Sequence, residues 1–204
     1  MKKVSIAYGD SRLEIKVPEY ANVILPNYPA SFDNPYQEIR QSILNPVNSA
    51  SLKDLVNEND RIAVSICDVT RPMPSAVVLS AILDELHHVN KNNIRIIIAT
   101  GTHRATTIGE INHMLGPKIT GQYSVENHNC FDKDKLTYCG NTSDDIPIWL
   151  NKTWVDSTFR ITVGCVEPHF FAGFSGGPKM VAPGLAGQDT IYELHNAEMI
   201  AHEH

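Results

Sequence analysis

The sequence has no CxxC pair; its four cysteines, at 67, 130, 139 and 165, are scattered. That pattern argues against a disulfide framework, and in a reducing compartment most of the thiols pack as small apolar groups. No window approaches the roughly 18 uninterrupted apolar residues of a membrane span. The N-terminal MKKVSIAYGDSRLEIKV has two lysines but then alternates apolar and polar residues, so it lacks the apolar core of a signal peptide. The expected location is therefore the cytoplasm, with no membrane partner. Runs of lysine or arginine are also missing, and a formal charge of -6 with a pI near 5.8 excludes a broad basic surface, so no nucleic acid is expected as a partner. GxGxxG, the Walker pattern, HExxH and zinc-ligand spacings are all absent. Neither an internal repeat nor a low-complexity linker interrupts the 204 residues, so a single α/β domain over 1–204 is the simplest organisation.

What is present reads as alternating elements. Val4 to Tyr8 and Leu13 to Val17 alternate around Gly9-Asp10-Ser11, a β-hairpin pattern, and polar, proline-containing sequence follows from Asn22 to Pro35. Pro35 to Leu44 carries apolar groups at helical intervals, and Ser51 to Val56 reads as a short helix. Arg61 to Cys67 and Ile94 to Ala99 are apolar runs separated by helical periodicity from Ser75 to His88, a βαβ unit that implies parallel pairing. A second helix is predicted from Thr106 to Leu115. Further strands are predicted at Tyr123–Glu126, Ile146–Leu150 and Phe159–Gly164, and a last helix, capped by Asp189, from Thr190 towards Ala201. The fold class is α/β: a mostly parallel, Rossmann-like sheet with flanking helices and an N-terminal hairpin.

In open parallel sheets, ligands bind beyond the carboxyl ends of the strands. Three such ends carry ionisable groups here. The first loop holds Asp68, Thr70 and Arg71; the guanidinium suits a carboxylate or phosphate, while Asp68 and Thr70 equally suit a helix start. The second holds Gly101, Thr102, His103 and Arg104 beside a helix N-terminus, a place favourable to anions. The third, EPHFFAGFSGGPK from Glu167 to Lys179, combines His169 and Lys179 with a mobile glycine-rich backbone. Phe170, Phe171 and Phe174 should be buried or cover something flat. His195, Glu198 and His202 fall at helical intervals, so one face of the last helix could present metal ligands or simply face solvent.

Taken together, Asp68-Val69-Thr70-Arg71-Pro72, Ala99-Thr100-Gly101-Thr102-His103-Arg104, the Glu167–Lys179 stretch and His195-Asn196 resemble the motifs of the nickel-dependent lactate racemase family, in order and across nearly the whole chain. The resemblance implies a nickel pincer nucleotide, a pyridinium-3,5-bisthiocarboxylic acid mononucleotide that holds nickel through two sulfurs and a ring carbon. It implies that Lys179 bears this cofactor covalently and that His195 is the protein ligand to nickel. His103 and His169 become paired acid/base residues, and Asp68 and Arg71 line the substrate site, Arg71 meeting the substrate carboxylate. Thr70, Gly101, Thr102 and Arg104 suit the cofactor phosphate, and Gly176 and Gly177 let the main chain approach a flat ring. The implied reaction is racemisation or epimerisation of a 2-hydroxy acid through hydride transfer and a planar 2-keto acid, which avoids a carbanion beside a carboxylate. Implied partners are the small-molecule 2-hydroxy acid and cofactor-synthesis proteins; a homo-oligomer stays open. Family members are typically about twice as long, so the chain is expected to be an N-terminal domain without the family's C-terminal domain, and to be inactive alone if water reaches the cofactor.

Two other readings remain open on the residues themselves. His103, His169 and His195 around a divalent ion would make a metal-dependent hydrolase, which leaves Lys179 without a role. Arg71 and the glycine loop alone would make a non-enzymatic carboxylate- or phosphate-binding domain.

Overall fold

The computed structural model describes residues 1–9, 11–25, 27 and 29–201. The chain falls into two compact units, Met1–Asp33 and Asn34–His204. The first is a hairpin of β1 (Lys2–Tyr8) and β2 (Ser11–Val17), antiparallel with Tyr8 opposite Ser11. Gly9 takes φ +57 in its tight connection, and Asp10 of the expected turn lies outside the described residues.

The second unit begins with α1 (Pro35–Leu44), started by Asn34, whose side chain accepts from the Gln37 amide, and α2 (Leu52–Leu55), capped by Ser51. It continues through β3 (Ile62–Cys67), α3 (Ser75–Glu85), β4 (Ile94–Ala99), α4 (Ile108–Thr120) and β5 (Ser124–Asn127). An antiparallel pair, β6 (Leu136–Asn141) with β7 (Pro147–Asn151), precedes α5 (Lys152–Asp156) and β8 (Phe159–Val163). Strand β6 has no sequence-level counterpart above, because its LTYCGN lacks a sustained alternation. Helix α4 reaches Thr120 only across a break: Gly116, at φ +74, ends the first segment at the expected Leu115, and Pro117 begins another turn.

Strands β5, β4, β3 and β8 form a four-stranded sheet in that order, every neighbour parallel. All six residues of β3 are buried, as a central parallel strand requires. Ile62, Val64 and Ile66 point into a cluster with Leu79, Ile82 and Leu115 from α3 and α4. Ala63 on the other face meets Trp154 and Leu185. Each such fully buried Ile or Leu contributes about 1.5–3 kcal/mol. The register sets Cys67 level with Ala99 and Ile66 level with Val163, so the loops after β3, β4 and β8 leave from one edge. The chain steps from β3 to β4 on one side, while β8 joins β3 on the other. The crevice between the ends of β3 and β8 is thus a topological switch point. Among the described residues no helix is long and apolar enough to cross a membrane.

Candidate functional site

After β4 the chain turns at once. Thr100 is buried and its hydroxyl donates to the His128 carbonyl at 2.7 Å, while the Gly101 amide donates to the Gly184 carbonyl at 3.0 Å. Gly101 can do this at φ +54, and the His103 amide then closes the turn on the Thr100 carbonyl. The result presents the His103 ring to the loop after β3. There Asp68, only 5% exposed, receives three hydrogen bonds: from the Thr70 hydroxyl at 2.6 Å and the Thr70 amide at 3.2 Å on Oδ1, and from His103 Nδ1 at 2.7 Å on Oδ2. Burial opposes ionisation of Asp68, but the donors from Thr70 and His103 outweigh it and hold the carboxyl below the usual range. The His103 side chain is 51% exposed, so its far nitrogen is open to a ligand.

The loop after β8 is closed at its base by Ser175, whose hydroxyl donates to the Cys165 carbonyl at 2.7 Å and accepts from the Glu167 amide at 3.0 Å. Above that base β9 (Pro168–His169) pairs with β10 (Gly173–Phe174), and His169 Nδ1 accepts from the Phe171 and Ala172 amides at 3.3 and 3.0 Å. Partial burial, then the charges of Lys179 and Arg71, lower the His169 pKa. Gly176 follows at φ +70, ψ −168, a region essentially reserved for glycine, and a Cβ there would sit 3.0 Å from the Val166 side chain and 3.1 Å from the Cys165 carbonyl. A 3-10 turn, Gly177–Met180, comes next and is tied to the sheet by the buried Ser65 hydroxyl, which donates to the Met180 carbonyl at 3.2 Å. That turn carries Lys179, whose ammonium pKa is lowered by burial and then by Arg71.

The last helix differs from the sequence expectation. It is α6 (Gln188–Leu194) followed by α7 (Ala197–Ala201), with the break at His195 and Asn196. Asp189 sits in the first turn and pairs with Lys133 at 3.2 Å rather than capping; Gly187 is the N-cap, without a side-chain bond. The break arises because the Asn196 side chain accepts from the Met199 amide and starts a new helix, while His195 Nδ1 donates to the Ile191 carbonyl at 2.8 Å. His195 and Glu198 therefore do not share a continuous helical face, and His202 lies outside the described residues. In the neutral ring the bond to Ile191 puts the proton on Nδ1 and makes Nε2 the bare nitrogen, the arrangement a ligating histidine needs.

These pieces surround one cavity of about 450 Å³. Asp68, Arg71, Gly101, Thr102 and His103 line it together with His169, Gly176, Lys179 and His195. The volume is that of a small-ligand or cofactor site. Arg71 makes no side-chain hydrogen bond among the described residues, leaving its fork available. Three expected residues are elsewhere. Arg104 turns away to a bidentate pair with Glu110 at 2.6 and 2.8 Å, which holds the Glu110 carboxyl at about 2. Thr70 spends its hydroxyl on Asp68, and Gly177 is not part of the cavity wall. The phenylalanines also depart from expectation: Phe171 leans on His195 with ring centroids 5.4 Å apart, but Phe170 is 98% exposed and stacks on His169, and Phe174 is exposed too. A short two-residue strand pair has no interior in which to bury them. Cys67 lines the cavity as an apolar thiol, its pKa raised by burial. Ser65 and Tyr192, the latter in the cavity wall, were not legible as site residues; a serine inside an otherwise apolar strand was the available signal for the first.

Among the described residues no three His, Cys, Asp or Glu side chains converge to hold a metal ion. A nickel ion there would need most of its donors from a bound group other than these side chains. One imidazole with a bare Nε2, a lysine amine of lowered basicity and an adjoining glycine-lined wall fit such a group.

Residues 8–204 match the sequence profile of the lactate racemase N-terminal domain. A lactate racemase of Thermoanaerobacterium thermosaccharolyticum is 33% identical over 205 residues, covering 98% of this chain and 48% of that protein. One from Lactiplantibacillus plantarum is 33% identical over 175 residues, covering 84% of this chain and 41% of that one. The structure of the lactate racemase apoprotein from Thermoanaerobacterium thermosaccharolyticum superposes with a TM-score of 0.82 at 31% identity, over 97% of this chain and 47% of that one. A crystal structure of a Thermotoga maritima protein gives a TM-score of 0.67 at 23% identity, over 82% and 42%, a likeness of fold alone. The chain spans about half the length of the curated relatives it matches.

Proposed function

Since the chain belongs to the lactate racemase N-terminal domain family, matched from residue 8 to residue 204, we propose that it is the catalytic and cofactor-bearing part of a cytoplasmic 2-hydroxy-acid racemase or epimerase. Residues 1–204 hold the cofactor in this reading, and sequence corresponding to the other half of the relatives completes the cleft. The cofactor is a nickel pincer nucleotide, supplied by cofactor-synthesis proteins; when bound, it provides an electrophilic carbon that takes the C2 hydrogen with its electron pair and gives it back.

The observation that carries this reading is the convergence, in one cavity, of Lys179, His195, the Asp68–His103 pair and His169. Lys179, its amine made more available by burial and by Arg71, is the point of covalent attachment. His195 offers Nε2 to the metal, its other nitrogen anchored on Ile191. Gly101, Thr102 and Gly176 let the cofactor lie close to the main chain. Arg71 binds the substrate carboxylate, and Asp68 acts through His103, fixing its ring. His103 and His169 exchange the hydroxyl proton on the two sides of C2, which is why a racemase needs two of them.

Intact-mass spectrometry of the chain made together with the cofactor-synthesis machinery tests the proposal. The expected result is a covalent adduct that maps to Lys179 and vanishes in Lys179→Ala. An unmodified mass under cofactor-replete conditions would remove the central claim.

A further inference from the structure

We propose that His103 and His169 are held in opposite tautomers, His103 with a bare Nε2 that can accept a proton and His169 with an Nε2–H that can only donate a hydrogen bond, until the Phe171 and Ala172 amides release the His169 ring. The functional consequence rests on the racemase reading above, whereas the tautomers themselves rest only on hydrogen-bond geometry.

For His103, the partner of Nδ1 is the Oδ2 oxygen of Asp68 at 2.7 Å, an acceptor. The other oxygen of the carboxylate is occupied by the two donors of Thr70, which leaves Oδ2 as the acceptor for His103. Nδ1 therefore carries the proton, and in the neutral ring Nε2 is bare. For His169 the logic reverses. Its Nδ1 lies 3.0 Å from the Ala172 amide nitrogen and 3.3 Å from that of Phe171, and a backbone N–H can only donate. Nδ1 must then be the unprotonated nitrogen, which puts the single proton of the neutral ring on Nε2. A ring turned over would set a C–H against both amides and lose both bonds. A doubly protonated ring would set N–H against N–H, so the hairpin also resists the imidazolium.

The hairpin holds this arrangement in place. His169 pairs with Gly173 across β9 and β10, and the Phe170 ring stacks on the imidazole at 5.1 Å with the planes 15° apart. Arg71 lines the same cavity, close enough for its charge to act on His169. A 2-hydroxy acid with its carboxylate on Arg71 has at C2 an oxygen that can accept from His169 Nε2–H, and its 2-keto form keeps that acceptor. On the His103 side the hydroxyl O–H breaks as Nε2–H forms, and Asp68 offsets the new charge. On the His169 side Nδ1 must let go of the two amides and hold a proton before Nε2 can take the hydroxyl proton, and equally before an Nε2 proton can pass to the 2-keto oxygen without leaving an imidazolate. That release belongs to half of the path, in whichever direction the path is travelled. The two histidines are thus unequal at rest, with the 168–174 hairpin governing one of them.

The test uses the 204-residue chain, labelled with nitrogen-15, and long-range imidazole proton–nitrogen correlations at a pH where both rings are neutral, assigned with His103→Asn and His169→Asn. His103 is expected as the Nδ1–H form and His169 as the Nε2–H form; His169 found as Nδ1–H, or as an average of both, would overturn the proposal. Hydrogen exchange at Phe171 and Ala172 gives a second reading. Asn places an acceptor near the Nδ1 position and should keep their protection, whereas His169→Gln reaches only the Nε2 position and should speed exchange roughly tenfold. Equal exchange in the two variants would refute the role of the hairpin. No cofactor is involved, so failure here leaves the Lys179 adduct standing, and absence of the adduct leaves the tautomers standing.

Discussion

Replacing Asp68 by asparagine changes one bond and leaves its neighbours in place. Both Thr70 donors sit on Oδ1, so the asparagine carbonyl keeps them and its amide group necessarily faces His103. A donor then meets Nδ1, and the ring is forced from the Nδ1–H to the Nε2–H form. The structural cost is small. A hydrogen bond to a charged group, about 1.5–3 kcal/mol, is exchanged for a neutral one of about 1 kcal/mol, and the relief from burying a carboxylate offsets part of the difference. The expected loss of stability at pH 7 is therefore about 1 kcal/mol. Because the carboxyl of Asp68 lies below its ordinary 3.8 in the folded chain, its contribution is present above 3.8 and is lost as pH falls through the depressed folded value. Urea unfolding should therefore show the two proteins converging in acid. On the racemase reading, the effect on stereoisomer interconversion by a cofactor-loaded, two-domain form is of a different order. A base presented in the wrong tautomer costs on the order of 10⁴ in rate in the serine-protease template. The assays are imidazole correlations, urea titrations at pH 7 and in acid, and stereoisomer interconversion. If His103 in Asp68→Asn keeps its proton on Nδ1, or interconversion falls less than tenfold, the reasoning from Oδ1 and Oδ2 is wrong.

Lys179 and Gly176 provide two further tests. The ammonium of Lys179 is held below its ordinary 10.5 by burial and by Arg71, so the folded chain binds that proton more weakly than the unfolded one and gains stability as pH rises towards 10.5. Lys179→Met should thus melt no lower than wild type at pH 7, with any gap closing above pH 10.5, while losing the covalent adduct; a lower melting temperature at pH 7 would contradict the assigned environment. Gly176→Ala should cost about 2 kcal/mol in urea unfolding, from its glycine-only backbone angles and the Cβ contacts with Val166 and Cys165, and should displace the turn that carries Lys179. An unchanged midpoint would mean the loop relaxes freely.

Local periodicity determined a great deal by itself. The apolar runs of β3 and β4 and the helical pattern of α3 were readable because a continuous apolar run and a 3.6-residue period are properties of neighbouring residues, and a βαβ unit follows from their order. The same order placed Asp68, His103 and His169 at strand ends, and the glycine-rich stretch marked the wall near Lys179. Only the tertiary structure decided how these residues are used. Asp68 meets His103 across 35 positions, and Ser65 anchors the Lys179 turn across 115, contacts set when β4 and β8 close on the two sides of β3 and not by any local pattern. Arg104, beside His103 in sequence, turned instead to Glu110, since a flexible side chain takes the nearest opposite charge that helix α4 offers. The break at His195 needed the Asn196 cap, which competes with helix continuation in a way that spacing does not reveal. Residue types and their order thus specified most of the chemical groups that reach the cavity, though not the departure of Arg104 or the arrival of Tyr192; which nitrogen of each histidine faces it was settled by partners that only folding brings within hydrogen-bond range.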